Sequence, residues 1–420
     1  MTPRRLGWLT GLIFFAAMMG GLRTAGAASG NAPVKKKHHA AAKGTAKTTG
    51  KTSSGSTGKA THSRVASSRA TSAVRGRRRG RSVLAVRRTR HFYERFTASS
   101  FAENLTLGDV IEGEDPLVRA AAIEALGNMN GTALAIDPSN GRILAMVNQK
   151  LALSRGAEPC STIKLTVALA ALEEGIVTKD TAVNLGGGYH LTMTEALAHS
   201  NNAYFETLGR TLGFERVKHY ANEFGLGELA GYGIQGEQLG TYPDEELPAS
   251  LGGVGRMCSF GESVSMTPLQ LGAIVSAIAN GGTLYYLQHP ETQADVAAFQ
   301  PRVKRTLKIA PLIPEIQVGM QGAVQYGTAR SLRVNFDQFP VMGKTGTCSN
   351  NGTRFGWFGS FADTPTGRIV TVIFLEGGRP TFGPKAAELT GEFYRSLWEK
   401  SYFQPKLTPV AETKMAGRGR

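Results

Sequence analysis

Cysteine is scarce in this 420-residue chain, which holds three: Cys160, Cys258 and Cys348. Three thiols cannot all pair within one chain, and no Cys-x-x-Cys or Cys/His spacing points to a metal scaffold. Histidine is scarce as well; of the eight present, His38, His39, His62 and His91 sit in a low-complexity basic stretch. No metal site and no cofactor is expected. Acid is missing altogether from residues 28–92, which carry 17 Lys and Arg. The whole chain has 48 basic and 32 acidic residues and a formal charge of +16. With Arg4, Arg5 and Arg23 the only charges before residue 28, the part from Tyr93 onward has 28 basic residues against all 32 acids. The basic excess belongs to the N-terminal segment, so a nucleic-acid partner is not implied for the rest.

Long apolar runs are also missing, apart from residues 6–22. That run follows Arg4-Arg5, contains four glycines and leads to Ala25-Gly26-Ala27, the plan of a secretory leader. It falls short of the roughly 20 apolar residues of a comfortable membrane span, which favours a cleaved signal over an inner-membrane anchor. The protein is therefore expected in the periplasm or cell envelope. Residues 28–92 are mostly Ala, Gly, Ser, Thr, Lys and Arg, as in "AAAKGTAKTTGKTSSGSTGKATHS" and "RGRRRGR". Such a segment cannot bury enough surface to offset its ordering entropy and reads as a flexible tether. Its charge density favours adhesion to anionic envelope polymers or lipid over a neutral spacer. Export argues against nucleic acid.

A hydrophobic content of 41% over this length is enough for one large core or two modest ones, and so for an enzyme-sized globular domain. A short helical lead-in is expected over 93–130, with Pro116 in its first turn, Val118, Ala121, Ile123, Ala125 and Leu126 as its apolar face, and Gly127 as its stop. The main domain is expected over 131–405 and a flexible tail over 406–420. "TALAIDPSNGRILAMV" reads as a hairpin around Asp137 to Gly141. Amphipathic helices are predicted in "FERVKHYANEFGLG" and "TPLQLGAIVSAIANGG". Three β-type runs, "QFPVMGKTGTCS", "RFGWFGSFAD" and "GRIVTVIFLEGG", precede a closing helix. Strands at both ends with helices between them predict an α+β domain whose first and last strands share one sheet.

Three short motifs carry chemistry. In "EPCSTIKLTVALAALEEG", Ser161 and Lys164 stand three residues apart at a helix start, on one face. A serine hydroxyl needs an adjacent base, and a lysine serves only where burial or a nearby cation holds it neutral part of the time. Free N–H groups at a helix start also suit an oxyanion. Alone, the pair reads more simply as a helix cap, and Ser56 to Lys59 in the tether repeats its spacing. Ser200-Asn201-Asn202 falls at a break between two helical stretches, where polar groups can face a cleft; an interhelical turn accounts for it equally. Ser29-Gly30-Asn31 and Ser349-Asn350-Asn351 repeat that pattern. Lys344-Thr345-Gly346-Thr347 lies in a β-run, with Thr345 and Thr347 on one face and a glycine that admits a ligand close to the backbone. A phosphate loop is excluded, since Gln338 stands where its first glycine belongs.

Taken in order, S-x-x-K, S-x-N and K-T-G in one exported domain resemble the penicillin-binding transpeptidase family of the serine β-lactamase and D,D-peptidase superfamily. "NGRILAMV", "EPCSTIKLTVALAALEEG", "TEALAHSNNAYFETLGRTLG", "FGESVSMTPLQLGAIVSAIANGG", "GMQGAVQYGTA" and "GKTGT" follow the family's order over about residues 131–400. The resemblance implies an α+β, β-lactamase/transpeptidase-like fold: an antiparallel sheet flanked by helices, with an all-helical subdomain. It implies that Ser161 attacks the carbonyl of a D-Ala-D-Ala peptidoglycan stem peptide, or of a β-lactam that mimics it, giving an acyl-enzyme. Lys164 would take the serine proton, and Ser200, bridged to Lys344, would relay one to the leaving amine. Asn202 would hold the acyl-side amide, Thr345 and Thr347 would bind the terminal carboxylate, and Lys344 and Gly346 would belong to the same substrate-binding strand. The backbone N–H groups of Ser161 and Thr347 would form the oxyanion hole. A D,D-carboxypeptidase or a β-lactamase would use the same residues, and a non-catalytic wall-binding protein is the reading of a different class. No room appears before Gly131 for the family's larger N-terminal modules.

The chain departs from the family pattern at two cysteines. Cys160 stands where the family usually has glycine, and Cys348 follows Thr347 where alanine is common. Both flank motifs that must converge, so they are expected either to form a disulfide or redox-sensitive pair beside the site or to remain two small buried thiols.

Overall fold

The computed structural model describes residues 95–404. The expected leader, basic tether and C-terminal tail lie outside the described residues. Helix α1, Pro116–Leu126, has proline in its first turn and starts at Asp115, whose carboxylate accepts the N–H groups of Leu117 and Val118; Gly127 ends it. The predicted apolar face packs inward except at Ile123, which is exposed together with Leu117. Two apolar stripes run along this helix, and periodicity alone does not say which one meets the domain.

The hairpin at Asp137–Gly141 forms as the turn residues predict, joining β1, Gly131–Asp137, to β2, Arg142–Val147. The last three strands are β3, Val341–Asn350, β4, Thr353–Thr364, and β5, Gly367–Gly377. All pairings are antiparallel and the order across the sheet is β2-β1-β5-β4-β3. The first and last segments of the domain thus share one sheet through β1 and β5, with Ala133 opposite Ile373. Its outer edge on one side is β3, the strand that carries Lys344 to Thr347.

Side chains along these strands alternate between two cores, as a period of two requires. Leu134, Ile136, Val370, Val372 and Phe374 point into one, and Ala133, Ala135, Ile369, Ile373 and Leu375 into the other. The second core is closed by α1 and by the terminal helix, Gly383–Glu399. The first is closed by the helix Pro268–Asn280, predicted as amphipathic but buried on every side from Pro268 to Ala279. It lies between the sheet and the helical part of the domain, so no face is left for solvent.

That helical part begins after a 3-10 turn, Cys160–Ile163, with α2, Lys164–Glu173. It continues through α3, Met193–Ala198, α4, Asn202–Leu212, and α5, Phe214–Glu223. Thr192 and Glu195 form a reciprocal capping box at the start of α3, and Asn201 caps α4 by accepting the Tyr204 N–H. The Asn201 cap starts a new helix directly after α3 ends, and Ser200 occupies the break between them with a left-handed φ of 55°.

The lead-in is fastened by a buried ionic cluster. Arg119 bonds Asp109 and Glu114, each at 2.8 Å, and Glu114 also contacts His289 at 2.9 Å. The carboxylates are nearly inaccessible, so each depends on its partners for solvation.

Candidate active site

The three motifs, far apart in sequence, meet at two amines. Lys164 is completely buried. Its Nζ lies 3.0 Å from Ser161 Oγ, 3.1 Å from Ser200 Oγ, 2.8 Å from the Ser200 carbonyl and 2.6 Å from Asn202 Oδ1. Lys344, also completely buried, donates to Ser200 Oγ at 2.8 Å and to the Thr345 carbonyl at 2.9 Å. Ser200 Oγ therefore bridges the two lysines. The arrangement follows from local structure: the 3-10 turn and first helical turn stack Ser161 over Lys164, and the left-handed Ser200 turns its hydroxyl inward between α3 and α4.

Among the described residues neither lysine has a carboxylate partner within bonding distance. Burial holds the Lys164 pKa well below its ordinary value, the positive charge of Lys344 lowers it further, and Glu206 opposes both. Burial lowers that of Lys344 to about 7. A neutral Lys164 has a lone pair to accept the Ser161 proton, which is the condition the sequence pattern requires of a lysine base.

Ser161 does not act as a helix cap. It lies inside the 3-10 turn, no side chain caps α2, and its hydroxyl is turned to Lys164. Asn202 is the first residue of α4, and the capping role falls to Asn201. The repeated pattern Ser349-Asn350-Asn351 runs into the β3–β4 hairpin turn, where Asn350 bonds Glu158 at 3.1 Å.

Strand β3 presses directly on the turn that carries Ser161. A Cβ at Gly346 would lie 2.8 Å from the Pro159 carbonyl, so only glycine fits. From the next strand, Trp357 donates its Nε1–H to the Glu158 carbonyl at 2.9 Å. Cys160 and Cys348 form a disulfide across the same contact. Cys258 is a free, buried thiol.

The hydroxyls of Thr345 and Thr347 already have protein contacts. Thr345 Oγ1 is 2.6 Å from Thr328 Oγ1, and Thr347 Oγ1 accepts the Gly383 N–H at 2.8 Å. Thr328 was not foreseen as a site residue. Its N–H bonds the Ala198 carbonyl at 3.1 Å, so it ties the loop before Ser200 to strand β3. Gly327 makes that possible, since a Cβ there would stand 2.1 Å from the Ala198 carbonyl oxygen. The only sequence signal was the "YGTA" stretch, already part of the family likeness. A cleft of about 480 Å³ beside the turn is lined by Glu158, Ser263, Asn350, Phe355 and Glu376, among others. Burial raises both carboxyl pKa values, and nearby Glu262 adds to the effect at Glu158. Among the described residues no cluster of His, Cys, Asp and Glu is placed to hold a metal ion.

The penicillin-binding protein transpeptidase domain model matches residues 131–395. Stage V sporulation protein D of Bacillus subtilis is 30% identical, over 66% of this chain and 50% of its own length. Peptidoglycan D,D-transpeptidase FtsI of Escherichia coli K12 is 23% identical, over 69% of this chain and 52% of its own. The chain thus spans about half the length of these curated relatives. The crystal structure of penicillin-binding protein 3 from Mycobacterium tuberculosis, complexed with aztreonam, shares the fold at a TM-score of 0.54 and 23% identity, covering 70% of this chain and 79% of that one. On the extent of the family match, the chain belongs to the penicillin-binding protein transpeptidase domain family.

Proposed function

We propose that the protein is a serine D,D-transpeptidase that acts on peptidoglycan stem peptides ending in D-Ala-D-Ala and is acylated by β-lactams. The observation that carries this reading is the pair of buried lysines meeting at Ser200, with Ser161 Oγ 3.0 Å from Lys164. Neutral Lys164 accepts the Ser161 proton as the oxygen adds to the substrate carbonyl. The backbone N–H groups of Ser161 and Thr347 stabilise the resulting oxyanion, each worth about 3 to 4 kcal/mol in comparable sites. The proton reaches the leaving D-Ala amine through Ser200, and the acyl group stays on Ser161 until an amine attacks. Asn202 orients the acyl-side amide. Lys344, Thr345, Gly346 and Thr347 receive the terminal carboxylate, which finds a positive charge when Lys344 is protonated.

Residues 131–405 are the catalytic domain in this reading. Residues 1–27 export the chain to the periplasm or cell envelope, by a cleaved signal or an inner-membrane anchor. Residues 28–92, with 17 basic groups and no acid, adhere to anionic envelope polymers or lipid. Among the described residues no helix is long and apolar enough to cross a membrane.

The test is product analysis with a D-Ala-D-Ala-terminated pentapeptide and an excess of a D-amino acid as acceptor. Release of D-Ala with the exchanged peptide as main product supports a transpeptidase. Release with only the shortened peptide makes the protein a carboxypeptidase, and no release at all overturns the reading.

A further inference from the structure

Cys160 precedes the nucleophile and has a left-handed φ of 51°, a conformation that suits glycine and that few other residues adopt without help. Its side chain is completely buried and bonded to Cys348, 188 residues away, with a Cα–Cα separation of 5.5 Å. Cys348 is the residue after Thr347 on β3. The disulfide thus joins the turn that presents Ser161 to the strand that carries Lys344. On either side of it the turn is wedged: the Pro159 carbonyl sits against Gly346, and the Pro159 ring against Gly261, where a Cβ would approach its Cγ to 2.4 Å.

We propose that the Cys160–Cys348 disulfide is a positioning device, which holds residue 160 in its left-handed conformation and so keeps Ser161 aimed at Lys164. This inference rests on the acyl-transfer reading of the site. In the left-handed region a Cβ crowds the following backbone, so an untied side chain at residue 160 favours relaxation toward negative φ. Rotation at this position swings Ser161, the very next residue, whose Oγ has to stay within bonding reach of Lys164 Nζ. Glycine would tolerate the conformation unaided; the cysteine is held there by a covalent tie to β3. Cys160 is a positioning residue, since its sulfur is spent in the disulfide and takes no proton.

The test compares three variants of the full chain with the oxidised wild type: Cys348→Ser, Cys160→Ser with Cys348→Ser, and Cys160→Gly with Cys348→Ser. Two measurements are made: the rate of acylation by a fluorescent penicillin, and amide hydrogen exchange of the peptide spanning 158–164. Thermal unfolding shows that each variant is folded. Both variants that keep a side chain at residue 160 without the disulfide should acylate about tenfold more slowly or worse, since small misplacements at a reacting centre are costly. Their turn should exchange faster. The glycine variant should recover most of the lost rate and most of the protection, although it too lacks the disulfide. Equal rates and exchange in the wild type and Cys348→Ser overturn the proposal, as does a glycine variant no better than the double serine. If the wild type itself is not acylated, the acyl-transfer reading fails, and the exchange data still decide whether the disulfide orders the turn.

Discussion

Replacing Lys344 by methionine should make the folded protein more stable and the site inactive. The lysine is fully buried, among the described residues no carboxylate is bonded to it, and burial lowers its pKa from 10.5 to about 7. A folded pKa below the unfolded one means that, between about pH 7 and 10.5, the unfolded chain binds a proton that the folded chain does not, so stability rises with pH across that window. At about 1.36 kcal/mol per pKa unit, the burden on the folded state is about 4 kcal/mol at pH 7 and about 2 kcal/mol at pH 9. Methionine fills a similar volume without charge. It leaves Ser200 Oγ and the Thr345 carbonyl each short of one donor, which costs about 1 kcal/mol apiece. The net gain at pH 7 is therefore about 2 kcal/mol, shrinking to near zero by pH 9. Urea unfolding of both proteins at pH 6, 7, 8 and 9 measures it. The wild type should gain stability over this range relative to the variant, and the variant should no longer be acylated by penicillin. A variant less stable than the wild type at pH 7, or a difference independent of pH, would refute the idea that Lys344 is an energetically unfavourable buried amine.

Two further changes probe what surrounds the site. Thr328→Val keeps the shape but not the hydroxyl next to Thr345, and should slow acylation about tenfold, with Thr328→Ser restoring it; a valine variant as fast as the wild type would remove Thr328 from the site's machinery. Glu114→Ala leaves Arg119 and His289 without their shared carboxylate and should cost about 3 to 5 kcal/mol of stability. Its acylation rate at low temperature should be unchanged, and an unaltered urea midpoint would show that the cluster contributes nothing.

Local signals were legible where neighbours in sequence determine the outcome. The Asp137–Gly141 hairpin, the proline start and glycine stop of α1, and the three final strands follow from turn and cap chemistry acting over a few residues. The site was legible for a different reason: three individually weak motifs appear in the family's order, and Ser161, Lys164, Ser200, Asn202 and Lys344 do converge. Contacts set by packing were not legible. Nothing near Thr328 in sequence indicates that its hydroxyl reaches Thr345, and Glu114 meets His289 across 175 residues. The helix Pro268–Asn280 was expected to keep a wet face because a short apolar segment looks alike whether half or wholly buried. The cysteines lay between these cases: their positions beside two converging motifs raised a disulfide as one of two outcomes, and the left-handed backbone at Cys160 emerged only in three dimensions.

In the proposed reaction Ser161, activated by a neutral Lys164, forms an acyl-enzyme. Intact-mass spectrometry of the protein after incubation with penicillin, followed by peptide mapping, detects that adduct. One added penicillin per chain is expected, mapped to the peptide containing Ser161, absent in Ser161→Ala, and forming more slowly as the pH falls and Lys164, whose pKa burial holds well below its ordinary value, becomes protonated. An unmodified wild type, or an adduct that survives in Ser161→Ala, would contradict that reaction.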